Sequence, residues 1–207
     1  MGVDKLWCDV GGRPLLAVTL DGLAAGGFDA VVIAAPPQRW EAITRLVGER
    51  GLPGPQMVEG GDRRQDSVRL AAARCAGHEW VCVHDAARPL VTGALVRRVV
   101  EGAQPTGAAT TAVPCVDTIK QVDDDHVLRT LDRSQLMATQ TPQAFRTELL
   151  VRAHEQALAD GATGDDDASL VERLGVRVAV VAGDPRNVKV TYAHDLELVR
   201  ALRGVAI

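Results

Sequence analysis

An acidic and a basic side chain follow one apolar run at residues 80–89, WVCVHDAARP. Such a run predicts a buried strand that ends before Asp85 and Arg88, and ligands of open α/β sheets bind beyond the carboxyl ends of strands. A carboxylate there can hold a metal ion or a sugar hydroxyl, and a guanidinium can grip phosphate with two hydrogen bonds. The pattern indicates a polar binding pocket, with a salt-bridged turn before proline as an equally good interpretation.

A pair of glycines marks a second candidate site at residues 59–67, EGGDRRQDS. Glycine lets a ligand approach the backbone at Gly61, and Asp62 and Ser67 carry groups that could bind the edge of a base. In the alternative interpretation Asp66 or Ser67 is the N-cap of the next helix. Both roles are compatible, because the free N–H groups at a helix start attract anions.

The remaining candidates are scattered through the second half of the chain. They are Thr118 and Lys120 on a possible hairpin, Arg133 after it, Thr141 in TQTPQ, and Lys189 in NVKVT. Taken one at a time they indicate little, since a lysine or arginine at a strand edge more often prevents aggregation than catalyses a reaction. The acidic run at 165–167 favours a helix cap over a metal site, and the histidines show no ligand spacing.

Apolar runs of strand length alternate with segments of helical periodicity, which predicts an α/β fold with a mainly parallel sheet. The predicted strands are 29–35, 56–59, 79–84, 108–113 and 176–182. The predicted helices are 14–25, 39–50, 66–76, 94–104, 148–160, 168–174 and 194–203. The alternation breaks at 117–131, DTIKQVDDDHVLRTL, where two runs of period two around an acidic turn predict a β-hairpin arm that needs a partner to cover it.

Composition narrows the class of protein. The 207 residues are 46% hydrophobic and 24% charged, which suffices for a folded core, and no linker or repeat marks a second domain. A net charge of −4 and 3% aromatic residues predict no binding to nucleic acid. Since the sequence has neither a signal peptide nor an apolar stretch of about 20 residues, we expect a cytoplasmic protein without a membrane span.

Six motifs in order resemble a known family. GGDRRQDS, VHDAARP, DTIK, LDRSQL with TQTPQAF, DDASLVE and NVKVT together are similar to the 2-C-methyl-D-erythritol 4-phosphate cytidylyltransferases of the non-mevalonate isoprenoid pathway. The resemblance implies an enzyme that uses Mg²⁺ and transfers CMP from CTP to methylerythritol phosphate, releasing pyrophosphate and forming 4-diphosphocytidyl-2-C-methyl-D-erythritol. It also implies a Rossmann-like nucleotidyltransferase sheet with helices on both faces, and a homodimer. A projecting β-hairpin arm, at about residues 115–135, would reach the other subunit's site.

The same resemblance implies roles for individual residues. The nucleotide-binding residues would be Gly61, Asp62 and Ser67 at the cytosine and Ala86 near the ribose. The residues that bind methylerythritol phosphate would be Asp85, Arg88 and Thr141, joined by Thr118 and Arg133 from the partner subunit. The catalytic residues would be Lys5 and Lys189, facing the triphosphate and the transition state. No residue is predicted as a metal ligand.

The sequence departs from the family pattern at its front. Family members begin with an apolar strand and a glycine-rich A-A-G-x-G-x-R loop that wraps the CTP phosphates. This sequence begins at the tail of such a loop, with Asp4 where the family has proline before Lys5. We therefore expect one domain over residues 1–207, with the N-terminal strand and loop missing from this sequence. The alternatives are a catalytically inactive nucleotide-binding relative that lacks the phosphate loop, and a ribitol-5-phosphate cytidylyltransferase, whose relatives read D-S-V-R-P at 85–89.

Overall fold

The computed structural model describes residues 4–204, so the first three residues of the predicted loop tail at 1–5 lie outside the described residues. The α-helices are α1 (Leu15–Ala24), α2 (Trp40–Gly48), α3 (Arg64–Ala73), α4 (Gly93–Ala103), α5 (Thr147–Ala159), α6 (Asp167–Glu172) and α7 (Ala193–Gly204). The β-strands are β1 (Val32–Ala34), β2 (Gln56–Val58), β3 (Trp80–Val83), β4 (Ala108–Pro114), β5 (Lys120–Asp123), β6 (His126–Thr130), β7 (Met137–Arg146) and β8 (Ala179–Ala182). Single turns of 3-10 helix lie at Lys5–Trp7, Pro37–Arg39 and Arg133–Gln135.

The main sheet has the strand order β3-β7-β4-β8. β7 runs antiparallel to both β3 and β4, whereas β4 and β8 are parallel. β3, β4 and β8 therefore point the same way, which agrees with the predicted mainly parallel sheet apart from the reversed β7. β7 itself was not predicted, because Pro142 argues against a central strand. The strand accommodates this proline at a bulge. Thr110 pairs with Gln143 and Thr111 with Gln140, which leaves two residues of β7 without ladder partners in β4.

Helices cover both faces of the main sheet, as predicted. Successive residues of β7 point to opposite faces: Ala144 packs with Val99 and Ala103 of α4, whereas Phe145 packs with Leu150 of α5. All five side chains are fully buried. The alternation along one strand therefore builds two apolar layers around a single sheet, which is the α/β architecture that the sequence indicates.

β1 and β2 form a separate parallel pair. A layer of apolar side chains from α1 and α2 packs against this pair, with Leu16 and Leu20 on α1 and Ile43 and Leu46 on α2. Their spacing of three or four residues places them on one face of each helix. This second layer is built mainly from residues of the first half of the chain. Within the described residues, no strand pairing joins it to the main sheet.

A slot separates β1 from β3. In residues 4–204, β1 pairs only with β2 and β3 only with β7, so one edge of each strand is free. Both strands are apolar, VIA and WVCV, yet each of their residues is only partly buried. A cavity of about 590 Å³ lies between them and is also lined by α1, α3 and α4. We call this cavity the β1–β3 slot.

The hairpin arm consists of β5 and β6, which confirms the hairpin predicted at 117–131. Every residue of both strands is exposed, including the apolar Val122, Val127 and Leu128. Thr118 lies in the loop that leads into β5, within the predicted arm at about 115–135. The arm leaves the globular part of the chain without contributing to its core.

Candidate active site

Asp85 is the centre of a polar pocket at the carboxyl end of β3. Its Oδ1 accepts a hydrogen bond from Arg64 Nε at 2.8 Å, and its Oδ2 lies 2.7 Å from Lys189 Nζ. A turn after the strand places Arg88 alongside, with the Arg88 N–H donating to the Asp85 carbonyl oxygen at 2.9 Å. The structure thus brings three of the predicted site residues, Asp85, Arg88 and Lys189, into one place.

Two cations keep the Asp85 carboxyl charged. The side chain is 12% exposed, and burial alone would raise its pKa. Arg64 and Lys189 outweigh that effect and lower the pKa of Asp85 to about 2. The carboxylate is therefore ionised at neutral pH, where it accepts hydrogen bonds and cannot serve as a general acid.

Arg88 has an unused donor in this pocket. Burial lowers the pKa of its guanidinium, which still remains charged at neutral pH. Nη1 donates to the Asn187 carbonyl oxygen at 2.8 Å, whereas the buried Nε has no partner among the described residues. Since buried polar groups are normally paired, this donor indicates a place for a ligand oxygen or an ordered water.

Thr141 connects β7 to the Asp85 turn. Its hydroxyl accepts a hydrogen bond from the Asp85 N–H at 3.0 Å and lies 3.2 Å from His84 Nδ1. His84 Nε2 lies 3.1 Å from the Arg88 carbonyl oxygen, which can only accept, so Nε2 carries the proton and Thr141 donates to Nδ1. Burial lowers the pKa of His84 to about 4. At pH 7 this histidine is neutral and supports the turn.

These side chains face a cavity of about 450 Å³, which we call the Asp85 pocket. The lining includes Arg64, Asp85, Arg88, Thr141, Gln143 and Lys189. The volume lies within the range of ordinary small-molecule sites, and the polar lining is suited to a phosphorylated polyol more than to an apolar ligand.

The GGDRRQDS segment forms a turn in front of α3. The Gly61 N–H donates to Ser67 Oγ at 3.1 Å. A side chain at Gly61 would place its Cβ 2.5 Å from the Asp66 Cβ, so this position requires glycine. The helix begins at Arg64 with Arg63 as its N-cap, so the N-cap interpretation of Asp66 or Ser67 was wrong. Asp66 instead pairs with Arg63 at 2.9 Å.

The predicted nucleotide-binding residues lie near the β1–β3 slot. Ser67 and Ala86 line it, and the Ala86 carbonyl oxygen accepts a hydrogen bond from Thr19 Oγ1 at 2.7 Å. Asp62 is exposed at the turn before α3. Arg64 and Asp85 line both cavities, so the slot and the Asp85 pocket meet at this ion pair.

Three predicted residues lie away from the Asp85 pocket. Thr118 and Arg133 are exposed on the arm, where Arg133 Nη1 donates to the Val116 carbonyl oxygen. Lys5 lies in a 3-10 turn near Asp195, whose pKa is lowered by two backbone N–H groups and further by Lys5. Within the described part of the chain, none of the three lines the Asp85 pocket.

Sequence reasoning missed Arg64, which lines the pocket, and Asn187, which holds Thr141 from behind it. Arg64 stands next to Arg63 in GGDRRQDS, and no local pattern tells which of the two neighbouring arginines turns inward. Asn187 is fully buried in the NVKVT motif, and its Nδ2 donates to the Thr141 carbonyl oxygen at 2.7 Å. Both residues lie within motifs already singled out in the sequence, GGDRRQDS and NVKVT, and that position is the signal that could have identified them.

The acidic run at 165–167 caps a helix, as predicted. The Asp166 carboxylate accepts a hydrogen bond from the Ser169 N–H at 2.8 Å, at the start of α6.

Among residues 4–204, no three or more His, Cys, Asp or Glu side chains are grouped as they would be around a metal ion. In the same part of the chain, every helix is too short or too polar to cross a bilayer.

The fold and the pocket define a nucleotidyltransferase: an α/β sheet with helices on both faces, and cations gathered around a carboxylate at the end of a strand. The model of the 2-C-methyl-D-erythritol 4-phosphate cytidylyltransferase family matches residues 1–203. The chain therefore belongs to this enzyme family, which confirms the prediction from the order of its motifs.

Individual relatives agree with the family assignment. The chain is 43% identical over 202 residues to a 2-C-methyl-D-erythritol 4-phosphate cytidylyltransferase of Acidobacterium capsulatum, covering 94% of this chain and 84% of the relative. It is 41% identical over 206 residues to the enzyme of that name from Bacillus cytotoxicus, covering 99% and 91%. The crystal structure of the Thermus thermophilus enzyme superimposes with a TM-score of 0.81 at 37% identity, covering 97% of this chain and 94% of that one. A 4-diphosphocytidyl-2C-methyl-D-erythritol synthase from Anaerococcus prevotii superimposes with a TM-score of 0.88 at 28% identity, covering 97% and 93%.

Proposed function

We propose that this chain transfers CMP from CTP to 2-C-methyl-D-erythritol 4-phosphate, with the acceptor bound in the Asp85 pocket. The observation that carries the proposal is the unpaired, buried Nε of Arg88 in a pocket that also holds Lys189 and Arg64. A guanidinium donor without a protein partner is suited to a phosphate oxygen. Family membership supplies the identity of the two substrates.

The reaction needs no general base from the protein. The second pKa of a phosphate monoester is near ~6, so the acceptor phosphate is mostly ionised at neutral pH. One of its oxygens forms a bond to the α-phosphorus of CTP, while the bond from that phosphorus to the β-phosphate oxygen breaks and pyrophosphate leaves. The protein must align two anions and stabilise the developing charge, which is work for lysine and arginine.

In this proposal each predicted residue contacts a different part of the acceptor. Arg88 grips the acceptor phosphate, Asp85 accepts hydrogen bonds from acceptor hydroxyls, and Thr141 closes the pocket beside them. Lys189 leaves Asp85 to neutralise charge in the transition state. Its 42% exposure and its single carboxylate partner support this mobility.

The nucleotide lies on the slot side of Asp85 in the same proposal. Gly61, Asp62 and Ser67 hold the cytosine and Ala86 lies near the ribose. The tight turn at Gly61 and the position of Ala86 at the slot support these assignments. CTP and the acceptor then meet where the two cavities meet, at Asp85.

We further propose that an extended apolar strand occupies the β1–β3 slot and carries the glycine-rich phosphate loop at its carboxyl end. The free edges of β1 and β3 support this, because unpaired backbone N–H and C=O groups at two facing strands are satisfied by one inserted strand. The partial exposure of VIA and WVCV supports it as well. Lys5 would act on the triphosphate together with that loop.

A chimera tests the strand proposal. The first strand and loop of the Acidobacterium capsulatum relative are joined ahead of residue 4, with a matched chimera in which the loop glycines are replaced by alanine. We expect both chimeras to melt at a higher temperature than the chain alone, and only the glycine form to gain at least about a hundredfold in turnover. An unchanged melting temperature would contradict a strand in the slot. Higher stability without turnover would favour the inactive nucleotide-binding relative.

We propose a homodimer in which the arm of one subunit supplies Thr118 and Arg133 to the other subunit's pocket. The full exposure of β5 and β6, with apolar side chains among their residues, supports a covering partner. An Arg133→Ala chain mixed with a Lys189→Ala chain would then form heterodimers with one intact site, restoring about a quarter of full activity. The control mixes Arg88→Ala with Lys189→Ala, which leaves no intact site. Equal inactivity of both mixtures would contradict the shared site.

Mg²⁺ is the proposed cofactor, carried into the site by the triphosphate. The ion commonly binds through substrate phosphates and one or two carboxylates and keeps several waters. The described residues offer no preformed cage, and Asp85 is already paired with two cations, so no side chain is assigned to the metal. Turnover of CTP that saturates with Mg²⁺ and stops with a chelator is the expected behaviour.

The activity itself is tested by release of pyrophosphate from CTP, with the acceptor varied. We expect methylerythritol phosphate to be turned over by the chimera at least about a hundredfold faster than ribitol 5-phosphate. The reverse preference would establish the ribitol-5-phosphate alternative. With these substrates we expect the enzyme to work in the cytoplasm.

A further inference from the structure

Arg64 joins two carboxylates from distant parts of the chain. Its Nε donates to Asp85 Oδ1 at 2.8 Å, and its Nη2 donates to Asp167 Oδ2 at 2.9 Å. Asp85 follows β3, while Asp167 begins α6, 103 residues after Arg64. One planar guanidinium therefore ties the start of α3 to both of these elements.

The Asp167 end of this connection is rigid. Asp167 is 1% exposed, and its second oxygen, Oδ1, lies 3.1 Å from Nε2 of the fully buried His154 on α5. The other oxygen, Oδ2, is the one that accepts from Arg64, so the two Asp167 oxygens contact two different side chains. Asp167 is thus held from both sides in the core, and it can fix the direction in which Arg64 points.

The Asp85 end is open to change. Asp85 divides its two oxygens between Arg64 and Lys189, and Lys189 is the more exposed of these two cations. When Lys189 turns to a phosphate, Arg64 is the remaining side chain that holds Asp85 in place. Without Arg64, the carboxylate would be free to turn fully onto Lys189 and keep that lysine from its phosphate.

We propose that Arg64, anchored by the buried Asp167–His154 pair, is a positioning residue that holds Asp85 towards the acceptor and leaves Lys189 available. The inference rests on the proposed function of the Asp85 pocket. It makes Asp167 and His154 contributors to acceptor binding although neither reaches the Asp85 pocket.

The first test follows Asp85 in the free protein and needs no turnover. In Arg64→Lys, one ammonium replaces a planar fork and cannot keep both hydrogen bonds in their directions. We expect carbon NMR of the carboxyl group to show the pKa of Asp85 rising from about 2 towards its ordinary value of about 3.9. The matched control is Arg173→Ala, which removes the exposed pair with Asp160 at the other end of α6. An unchanged Asp85 titration in Arg64→Lys would overturn the proposal.

The second test separates acceptor from nucleotide in the active enzyme. Arg64→Lys and Asp167→Asn should each raise KM for the acceptor about tenfold, with KM for CTP changed less than about twofold. Because Asp167 acts through Arg64, the double variant should be no worse than Arg64→Lys alone. Equal rises in both KM values, or additive effects in the double variant, would show a general structural role and overturn the proposal.

Folding is monitored by thermal melting in each variant. If Arg64→Lys does not fold, Asp167→Asn provides the same two measurements, because it leaves Arg64 and Asp85 in the chain. If no acceptor is turned over at all, the proposed function fails. The carboxyl titration then still decides whether Arg64 positions Asp85.

Discussion

The two edges of β3 differ in how completely the chain satisfies them. On one edge, β3 pairs with β7 over four residue pairs, and the turn beyond it is held by Thr141 and His84. On the other edge, β3 faces the β1–β3 slot and has no strand partner in residues 4–204. β3 therefore ends at a polar pocket held by ion pairs and hydrogen bonds, whereas its other edge faces an apolar cavity and has no strand partner within the described residues.

The difference shows which half of the reaction the chain prepares by its own contacts. The Asp85 pocket is held by ion pairs and hydrogen bonds that join the turn after β3 to α3, β7 and the 187–189 segment. The slot is lined by half-buried apolar strands that do not meet. In the proposed reaction the acceptor side is therefore preorganised, whereas the triphosphate side depends on the strand and loop that the slot would receive.

The largest expected effect is on stability and compares the two edges directly. Phe145 is fully buried in β7, whereas Ile33 in β1 is only partly buried beside the slot. We expect Phe145→Ala to lower the free energy of unfolding by about 3–5 kcal/mol, and Ile33→Ala by only about 1 kcal/mol. Urea unfolding of both variants measures this. Equal losses would show that the slot edge is packed as tightly as the β7 edge.

Acid should weaken the β7 edge through His84. The pKa of His84 is about 4 in the folded protein and 6.5 when unperturbed, so between these values the unfolded chain binds a proton that the folded chain does not. Stability from this group is complete above pH 6.5 and falls by about 3 kcal/mol as pH drops to 4. Urea unfolding at a series of pH values measures the slope.

A substitution assigns that slope to one residue. His84→Gln should flatten the loss of stability between pH 6.5 and pH 4, whereas His126→Gln on the exposed arm should leave it unchanged. The lowered pKa of Asp85 acts in a separate window, because its contribution is lost only as pH falls from about 3.9 to about 2. A slope that survives in His84→Gln would contradict the role of the buried ring.

Lys189→Ala tests the pocket at the end of β3. It removes the cation proposed to act on the transition state, so turnover should fall about a hundredfold while the melting temperature changes little. The lysine is partly exposed, which makes a large loss of stability unexpected. Arg152→Ala on the exposed side of α5 is the control for loss of a positive charge. Full activity in Lys189→Ala would remove this residue from the proposed mechanism.

The smallest expected effect on stability is at the arm. Like the slot, the arm exposes apolar side chains, but a partner subunit is proposed to cover them. Leu128→Ser should change the free energy of unfolding by no more than about 0.5 kcal/mol, because the residue is 59% exposed and contributes nothing to the core. Sedimentation should instead show weaker dimerisation. A dimer of unchanged affinity would mean that this face of the arm is not part of the interface.

Local sequence predicted the parts of the site that lie within one turn. Asp85 and Arg88 are three residues apart after an apolar run, and the paired glycines before Asp62 indicated close approach to the backbone. The structure adds the steric reason for glycine at Gly61, where a Cβ would collide with that of Asp66. β7 was not predicted, because the bulge that accommodates Pro142 exists only once β4 lies alongside. The link from Arg64 to Asp167 spans 103 residues, and no periodicity or spacing reports such a contact.

By itself the sequence determined the fold class, the hairpin arm and, through the order of six motifs, the enzyme family. These follow from local preferences and residue identity, which need no partner to be recognised. Only the tertiary structure decided which of two adjacent arginines enters the pocket, which face of β7 each side chain takes, and that β1 and β3 stand apart. Those outcomes depend on packing and on ion pairs between residues far apart in the sequence. Such contacts form only when the whole chain adopts the arrangement of lowest free energy, so no local pattern reports them.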